Sequence, residues 1–160
     1  MKKYKKWLLQ FLIVIVIFFG IRFYQQQNLI TGVAPTFNQK SLNDESINLA
    51  SYQGDPVLVH FWANWCPICK AEQSNINITN DYYKIITIAS FSQRDEIKKY
   101  VSDNDLNWTV VYDSGNLIAK KYGIKAVPAS FFVNSKGEIK FTEVGYTTTI
   151  GFLARMFLFD

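Results

Sequence analysis

Cysteine is scarce in this chain: two residues of 160, Cys66 and Cys69. With both in one short segment, no pair is left over to act as a structural disulfide. Histidine is scarcer still, His60 alone. One imidazole and two thiolates fall short of the four ligands usual for zinc. The two methionines, Met1 and Met156, add little, so a Cu(I) site built on soft sulfur ligands would be two-coordinate or dimeric. A surplus of basic charge is missing too. The formal net charge is +4, but Lys2, Lys3, Lys5, Lys6 and Arg22 all lie at the N-terminus, leaving 12 bases against 13 acids elsewhere, a net of −1. Nucleic-acid binding loses its main electrostatic support.

Acids are absent from the stretch between Trp7 and Tyr24, and Arg22 is its only base. Eighteen helical residues span about 27 Å, close to the roughly 30 Å hydrocarbon core of a bilayer. The preceding lysines keep the N-terminus in the cytoplasm by the positive-inside rule, which sends the remainder across. The competing reading is a cleaved signal peptide with Leu8 to Gly20 as its apolar core. No small-x-small cleavage site follows, only Ile21-Arg22-Phe23-Tyr24-Gln25, so a retained anchor is expected, with Trp7, Phe23 and Tyr24 as interfacial aromatics. The expected organisation is a basic stub and transmembrane anchor over 1–24, a polar tether over 25–32 and one folded domain over 33–160. The length suits one domain.

Within that domain, Val33 to Phe37 reads as an extended entry strand, with Pro35 suited to an edge. Ile47 and Leu49 alternate as in a half-buried strand. Val57 to Trp62 is a continuous apolar run, the pattern of a central strand buried on both faces. A helix from Cys66 to about Asn80, a buried strand at Ile85 to Ala89 and a helix at Arg94 to Asp103 follow. Trp108 to Tyr112 reads as a third central-type strand, and Leu117 to Tyr122 as a short helix stopped by Gly123. A hairpin turns at Asn134 to Gly137 between Phe131–Val133 and Ile139–Val144, and a last helix runs from about Thr148 to Phe157. Alternating strands and helices with a terminal hairpin predict an α/β fold, a mixed sheet covered on both faces.

The chemistry-bearing segment is Trp65-Cys66-Pro67-Ile68-Cys69-Lys70, directly after the central strand. A Cys-x-x-Cys that opens a helix puts its first sulfur at the positive end of the helix dipole, where a thiolate is stabilised. Cys66 is the candidate nucleophile. Cys69, one turn on and expected to be the more buried, is placed to resolve the mixed disulfide that Cys66 forms with a partner.

Val59-His60-Phe61-Trp62-Ala63-Asn64-Trp65-Cys66-Pro67-Ile68-Cys69-Lys70 resembles the active-site segment of thioredoxin-like proteins, and Ala126-Val127-Pro128-Ala129-Ser130-Phe131-Phe132-Val133 resembles their cis-proline strand. Ala34-Pro35-x-Phe37, the Trp-Ala-x-Trp-Cys run and Glu72 are similar to the membrane-anchored group that contains the TlpA, ResA and cytochrome c maturation proteins. Cys-Pro-Ile-Cys and Phe141 to Thr147 look closest to the anchored thioredoxin-like member of the suppressor-of-copper-sensitivity systems. The resemblance implies a thioredoxin-like fold over roughly Val33 to Phe157 and no cofactor. It also implies a cis Val127-Pro128 bond beside the cysteines, with the Val127 backbone free to pair with an extended peptide. Apart from the cysteine motif, Pro128 would read as a trans proline on an edge strand.

His60 falls, by the resemblance, where many thioredoxins carry a buried acid. It is a candidate base for the proton of Cys69 or a neutral histidine packed in the core, and strand alternation points it to the face opposite residues 59 and 61. Glu72, at i+3 from Cys69, is the second candidate base or else a solvated carboxylate. Pro67 suits a first helical turn, and Ile68 offers the thiolate no charge and no hydrogen bond, which argues for a more reducing pair. Trp62 reads as core and Trp65 as part of the partner-docking rim beside an exposed sulfur.

These features point to an anchored thiol-disulfide oxidoreductase acting on protein thiols and disulfides in the periplasm, most simply as a reductant fed by a transmembrane electron donor. A disulfide-donating oxidase uses the same sulfurs. A Cu(I)-binding copper-tolerance protein and a docking module with incidental thiols are the readings from other classes.

Overall fold

A computed structural model describes residues 2–26 and 29–158, the side chains of 2, 3, 5, 18, 19 and 21–26 excepted. Helix α1 (Lys2–Gln26) contains the whole expected membrane segment. Among the described residues, no helix is long and apolar enough to cross a membrane. Part of that segment, the side chains of 18, 19 and 21–24, lies outside the described residues.

The central run Val57 to Trp62 becomes strand β4 (Val57–Trp62), and all six of its residues are buried. Before it come β1 (Gly32–Val33), β2 (Asn38–Lys40) and β3 (Ser46–Asn48). After it come α2 (Pro67–Asn80), β5 (Lys84–Ala89), α3 (Arg94–Asp103), β6 (Thr109–Tyr112), α4 (Leu117–Lys121), β7 (Ala129–Val133), β8 (Glu138–Val144) and α5 (Thr149–Leu158). Six strands form one mixed sheet in the order β1-β8-β7-β4-β5-β6, and β2 and β3 form a separate two-stranded ribbon. β4 pairs in parallel with β5 and antiparallel with β7. The parallel pairs need crossovers, and α2 and α3 supply them.

Alternation along β4 divides the core in two. Val57, Val59 and Phe61 join Phe37, Ile86, Ile88, Ile118, Tyr122 and Phe131 on one face. Leu58 and Trp62 join Cys66, Cys69, Ile76, Ile97, Phe132, Phe152 and Met156 on the other, beneath α2, α3 and α5. Trp62 is core, as expected, with its ring against those of Tyr100 and Trp108 at 5.6 Å each.

Two strand expectations are corrected. The entry strand is only Gly32–Val33, paired with β8 at the sheet edge. Beyond Ala34, which still donates to Gly137 O, Pro35 has no N–H to continue the ladder. The segment Trp108 to Tyr112 reads as central but lies at the opposite edge of the sheet. Its apolar character is nonetheless satisfied, because Ser41 bridges to Val111 and Leu42 N donates to Val110 O, covering that edge.

Candidate active site

Cys66 is the N-cap of α2, with extended backbone at φ −79° and ψ 114°, and Pro67 takes the first helical turn. Proline is suited there because its missing donor is not needed. The Cys66 Sγ accepts a hydrogen bond from the backbone N–H of Cys69 at 3.2 Å. It lies where the unpaired N–H groups of the helix concentrate positive charge. On its other side, Sγ is 3.5 Å from Val127 O, to which the thiol donates. The Val127-Pro128 bond is cis, as the resemblance implied.

Both cysteines are free thiols and both are buried. Cys66 is 3% exposed and Cys69 6%, so the expectation of an exposed first sulfur over a more buried second is corrected. The backbone at Val127 closes over Cys66, which strand-to-helix placement alone does not reveal. Burial, and next the hydrogen bond linking it to Cys66, pushes the Cys69 thiol far above its ordinary value, so at neutral pH it keeps its proton. For Cys69 to attack a disulfide, that proton must go to a neighbouring base.

Glu72 is the neighbour on the same helix, and it is fully buried, so the solvated-surface alternative fails. The backbone N–H of Thr147 donates to its Oε1 at 2.5 Å. Oε2 has no hydrogen-bond partner among the described residues. Burial pushes the Glu72 carboxyl up to about 8. His60 is also buried, on the cysteine-bearing face of β4, with Nε2 3.7 Å from Glu72 Oε2. Its Nδ1 is 2.9 Å from the hydroxyl of Ser130, its antiparallel partner in β7. Burial drops the His60 imidazole to about 3, so it is neutral at physiological pH. Of the two readings of His60, the structure supports the neutral, hydrogen-bonded core histidine, and its Nε2 faces Glu72.

The rim is made by other residues. Trp65 is 58% exposed and its Nε1 donates to Phe91 O at 2.8 Å, while Ile68 is half-exposed. Lys70 lies with its ammonium 5.6 Å from the centre of the Tyr100 ring. Cys66, Cys69, Glu72, His60, Val127 and Pro128 are thus connected through α2, β4 and the start of β7. Trp65, Pro67 and Ile68 border the opening. Sequence reasoning missed Ser130, Thr147 and Phe91. Ser130 was within reach of register arithmetic, two residues past the proline on a strand paired with β4. Thr147 acts through its backbone N–H as well as its side chain, and a backbone donor leaves no mark in sequence. Phe91 holds a positive φ of 58°, unexpected for an aromatic residue.

Among the described residues, no group of three or more His, Cys, Asp or Glu side chains could hold a metal ion. Met156, considered above as a sulfur ligand, is buried in the cluster that contains both cysteines, and Met1 lies outside the described residues.

Residues 30–142 match the AhpC/TSA family. The chain belongs to that family. Sporulation thiol-disulfide oxidoreductase A of Bacillus subtilis (strain 168) is 31% identical over 125 residues, covering 73% of this chain and 75% of that protein. Thiol-disulfide oxidoreductase ResA of Halalkalibacterium halodurans is 27% identical over 159 residues, covering 92% and 90%. The crystal structure of StoA from Bacillus subtilis superposes with a TM-score of 0.65 at 30% identity, covering 73% of this chain and 92% of that one. This AhpC/TSA member is a thioredoxin-like thiol-disulfide oxidoreductase of the ResA and StoA type.

Proposed function

We propose that Cys66 and Cys69 are the redox pair of a membrane-anchored enzyme that reduces disulfides in protein partners on the periplasmic side of the inner membrane. One observation carries the reading: two free thiols at the N-terminus of α2, the first capping the helix and bonded to the Val127 carbonyl, the second beside a buried carboxylate. Cys66 attacks the partner disulfide and forms a mixed disulfide. Cys69 then gives up its proton, attacks Cys66 Sγ and releases the partner as a dithiol, leaving Cys66–Cys69 oxidised. Two electrons pass to the partner and are replaced by a transmembrane donor.

Anchoring by α1 is supported by the lysines in its first turns, Lys2, Lys3, Lys5 and Lys6, and by Leu8, Phe11, Leu12, Val14 and Val16, each at least 56% exposed. Trp65 and Ile68 supply an apolar rim for the partner, and the Val127 backbone a strand-like edge.

Direction is tested by equilibrating the full chain in detergent against dithiothreitol or glutathione buffers. A reduction potential near thioredoxin's, about −270 mV, is the expected result; one near −120 mV makes the protein a disulfide donor instead. Replacing Cys69 by Ser is expected to trap a mixed disulfide with the partner, and replacing Cys66 by Ser to abolish exchange. The link to copper tolerance rests on the Cys-Pro-Ile-Cys and 141–147 resemblance, and Cu(I) titration with and without the C66S change tests it.

A further inference from the structure

Three buried side chains from three elements form a continuous polar line through an otherwise apolar core: Ser130 on β7, His60 on β4 and Glu72 on α2. The cysteine pair alone does not require the first two. Buried polar groups persist where they are satisfied, yet one atom in this line lacks a hydrogen bond, Glu72 Oε2, and the nearest imidazole nitrogen faces it.

We propose that His60 is a positioning residue for proton transfer from Cys69: Ser130 fixes its neutral imidazole as the Nε2–H tautomer, and that N–H directs and tunes Glu72 as the proton acceptor. The inference rests on the exchange reading above and specifies how its second step is enabled.

The donor logic allows one consistent assignment when Glu72 is ionised. The Ser130 hydroxyl donates to Nδ1, which leaves the imidazole proton on Nε2, aimed at the carboxylate. At 3.7 Å the contact is longer than a hydrogen bond, and the proposal requires it to shorten when Glu72 takes up its charge. Phe152, edge-on to the imidazole with ring centres 6.3 Å apart, helps hold the plane.

Such a donor answers a specific difficulty. A carboxylate this deeply buried holds its proton to about pH 8 and would be a poor acceptor at neutral pH. The Thr147 N–H already works against burial, and an imidazole N–H on the second oxygen works in the same direction. The other groups that bear on Glu72 are Cys69 on its own helix and Glu143 on β8, whose like charge raises it. Glu143 is in turn held by Arg155 of α5 at 2.6 Å. During the resolving step the proton leaves Cys69 Sγ for Glu72, the Cys69 thiolate forms the bond to Cys66 Sγ, and the departing partner thiolate takes up a proton from Glu72 or solvent.

The test uses the full chain in detergent. The Glu72 titration is read by carbon-13 carboxyl NMR and the His60 tautomer by nitrogen-15 NMR. The rate at which Cys69 resolves a Cys66 mixed disulfide with thionitrobenzoate is followed against pH. In Ser130→Ala and His60→Leu the Glu72 titration and the rate midpoint should both move to higher pH by about one unit, roughly tenfold slower on the acid limb. His60→Gln, which keeps an N–H donor, should restore part of the shift. Unmoved midpoints in Ser130→Ala and His60→Leu overturn the proposal, as does a uniform rate loss at all pH values, the signature of a purely structural role. Ser130→Ala decides the matter if His60→Leu does not fold. If C66S retains disulfide turnover, the exchange reading fails and takes this one with it; if C66S is inactive but the Glu72 and rate midpoints stay unmoved in Ser130→Ala and His60→Leu, this proposal alone fails.

Discussion

Glu72 and His60 are each buried in the form that carries no charge, and folding stability registers both in opposite directions. Glu72 is raised from 4.5 to about 8, so the folded chain holds a proton that the unfolded chain releases. That contribution is complete below pH 4.5 and is lost as pH rises through 8. His60 is lowered from 6.5 to about 3, so its contribution is complete above pH 6.5 and is lost as pH falls toward 3. Between 4.5 and 6.5 the two slopes cancel. Stability should therefore plateau at mildly acidic pH and decline toward pH 8. Glu72→Gln, which keeps an oxygen for the Thr147 N–H, should remove the alkaline decline, so that between pH 6.5 and 8 it gains on the parent by on the order of 2 kcal/mol. Urea unfolding at pH 5, 6.5 and 8 checks this. Equal pH dependence in both proteins would show that Glu72 is not the titrating group.

Trp65 is exposed yet fixed, and at the level of elements its position is set by groups far from it in sequence. Its Nε1 bonds to Phe91 O, and Phe91 N donates to Asn116 Oδ1 at 2.7 Å, just before α4. Asp113 secures that region. Its Oδ1 accepts from Ile118 N at 2.8 Å, and its Oδ2 from Ala119 N at 2.9 Å and the Ser90 hydroxyl at 2.8 Å. One buried carboxylate thus closes the start of α4 and joins it to the end of β5. Asp113→Ala would leave two backbone donors and a hydroxyl buried without partners, a loss of about 2 to 4 kcal/mol. Asp113→Asn, which retains an acceptor, should lose less. Thermal melts of the two variants measure the difference, and a loss below about 0.5 kcal/mol for Asp113→Ala would mean the surrounding groups find other partners.

For the molecule as a whole, the anchor and the redox domain are separable expectations. Removing residues 2–26 should release the protein from membranes on fractionation while leaving the potential of the cysteine pair unchanged, because none of the described side chains packed around Cys66 and Cys69 comes from α1. A shifted potential would tie α1 to the site, and continued membrane association would locate the contact in the domain.

Much of this architecture follows from local pattern. The continuous run at 57–62 specified a doubly buried strand, the Pro67 and Cys66 pair specified a helix start, and the turn ending at Gly137 specified a hairpin, because each depends on backbone preferences and apolar periodicity within a few residues. The cysteine spacing and its place after a strand determined the chemistry. What the sequence could not determine depends on elements that meet only on folding. Trp108 to Tyr112 is apolar enough for a central strand, and only the path of Ser41 and Leu42 along its outer edge makes an edge position acceptable. The burial of Cys66 depends on the segment at 127–128, about sixty residues away. Glu72 shows the division most plainly. Its position one turn after Cys69 is written in the sequence, but whether it is a solvated carboxylate or a buried acid was decided by Thr147 and His60 closing over it. Removing a carboxyl group from water takes neighbours on every side, and a helix by itself supplies only one.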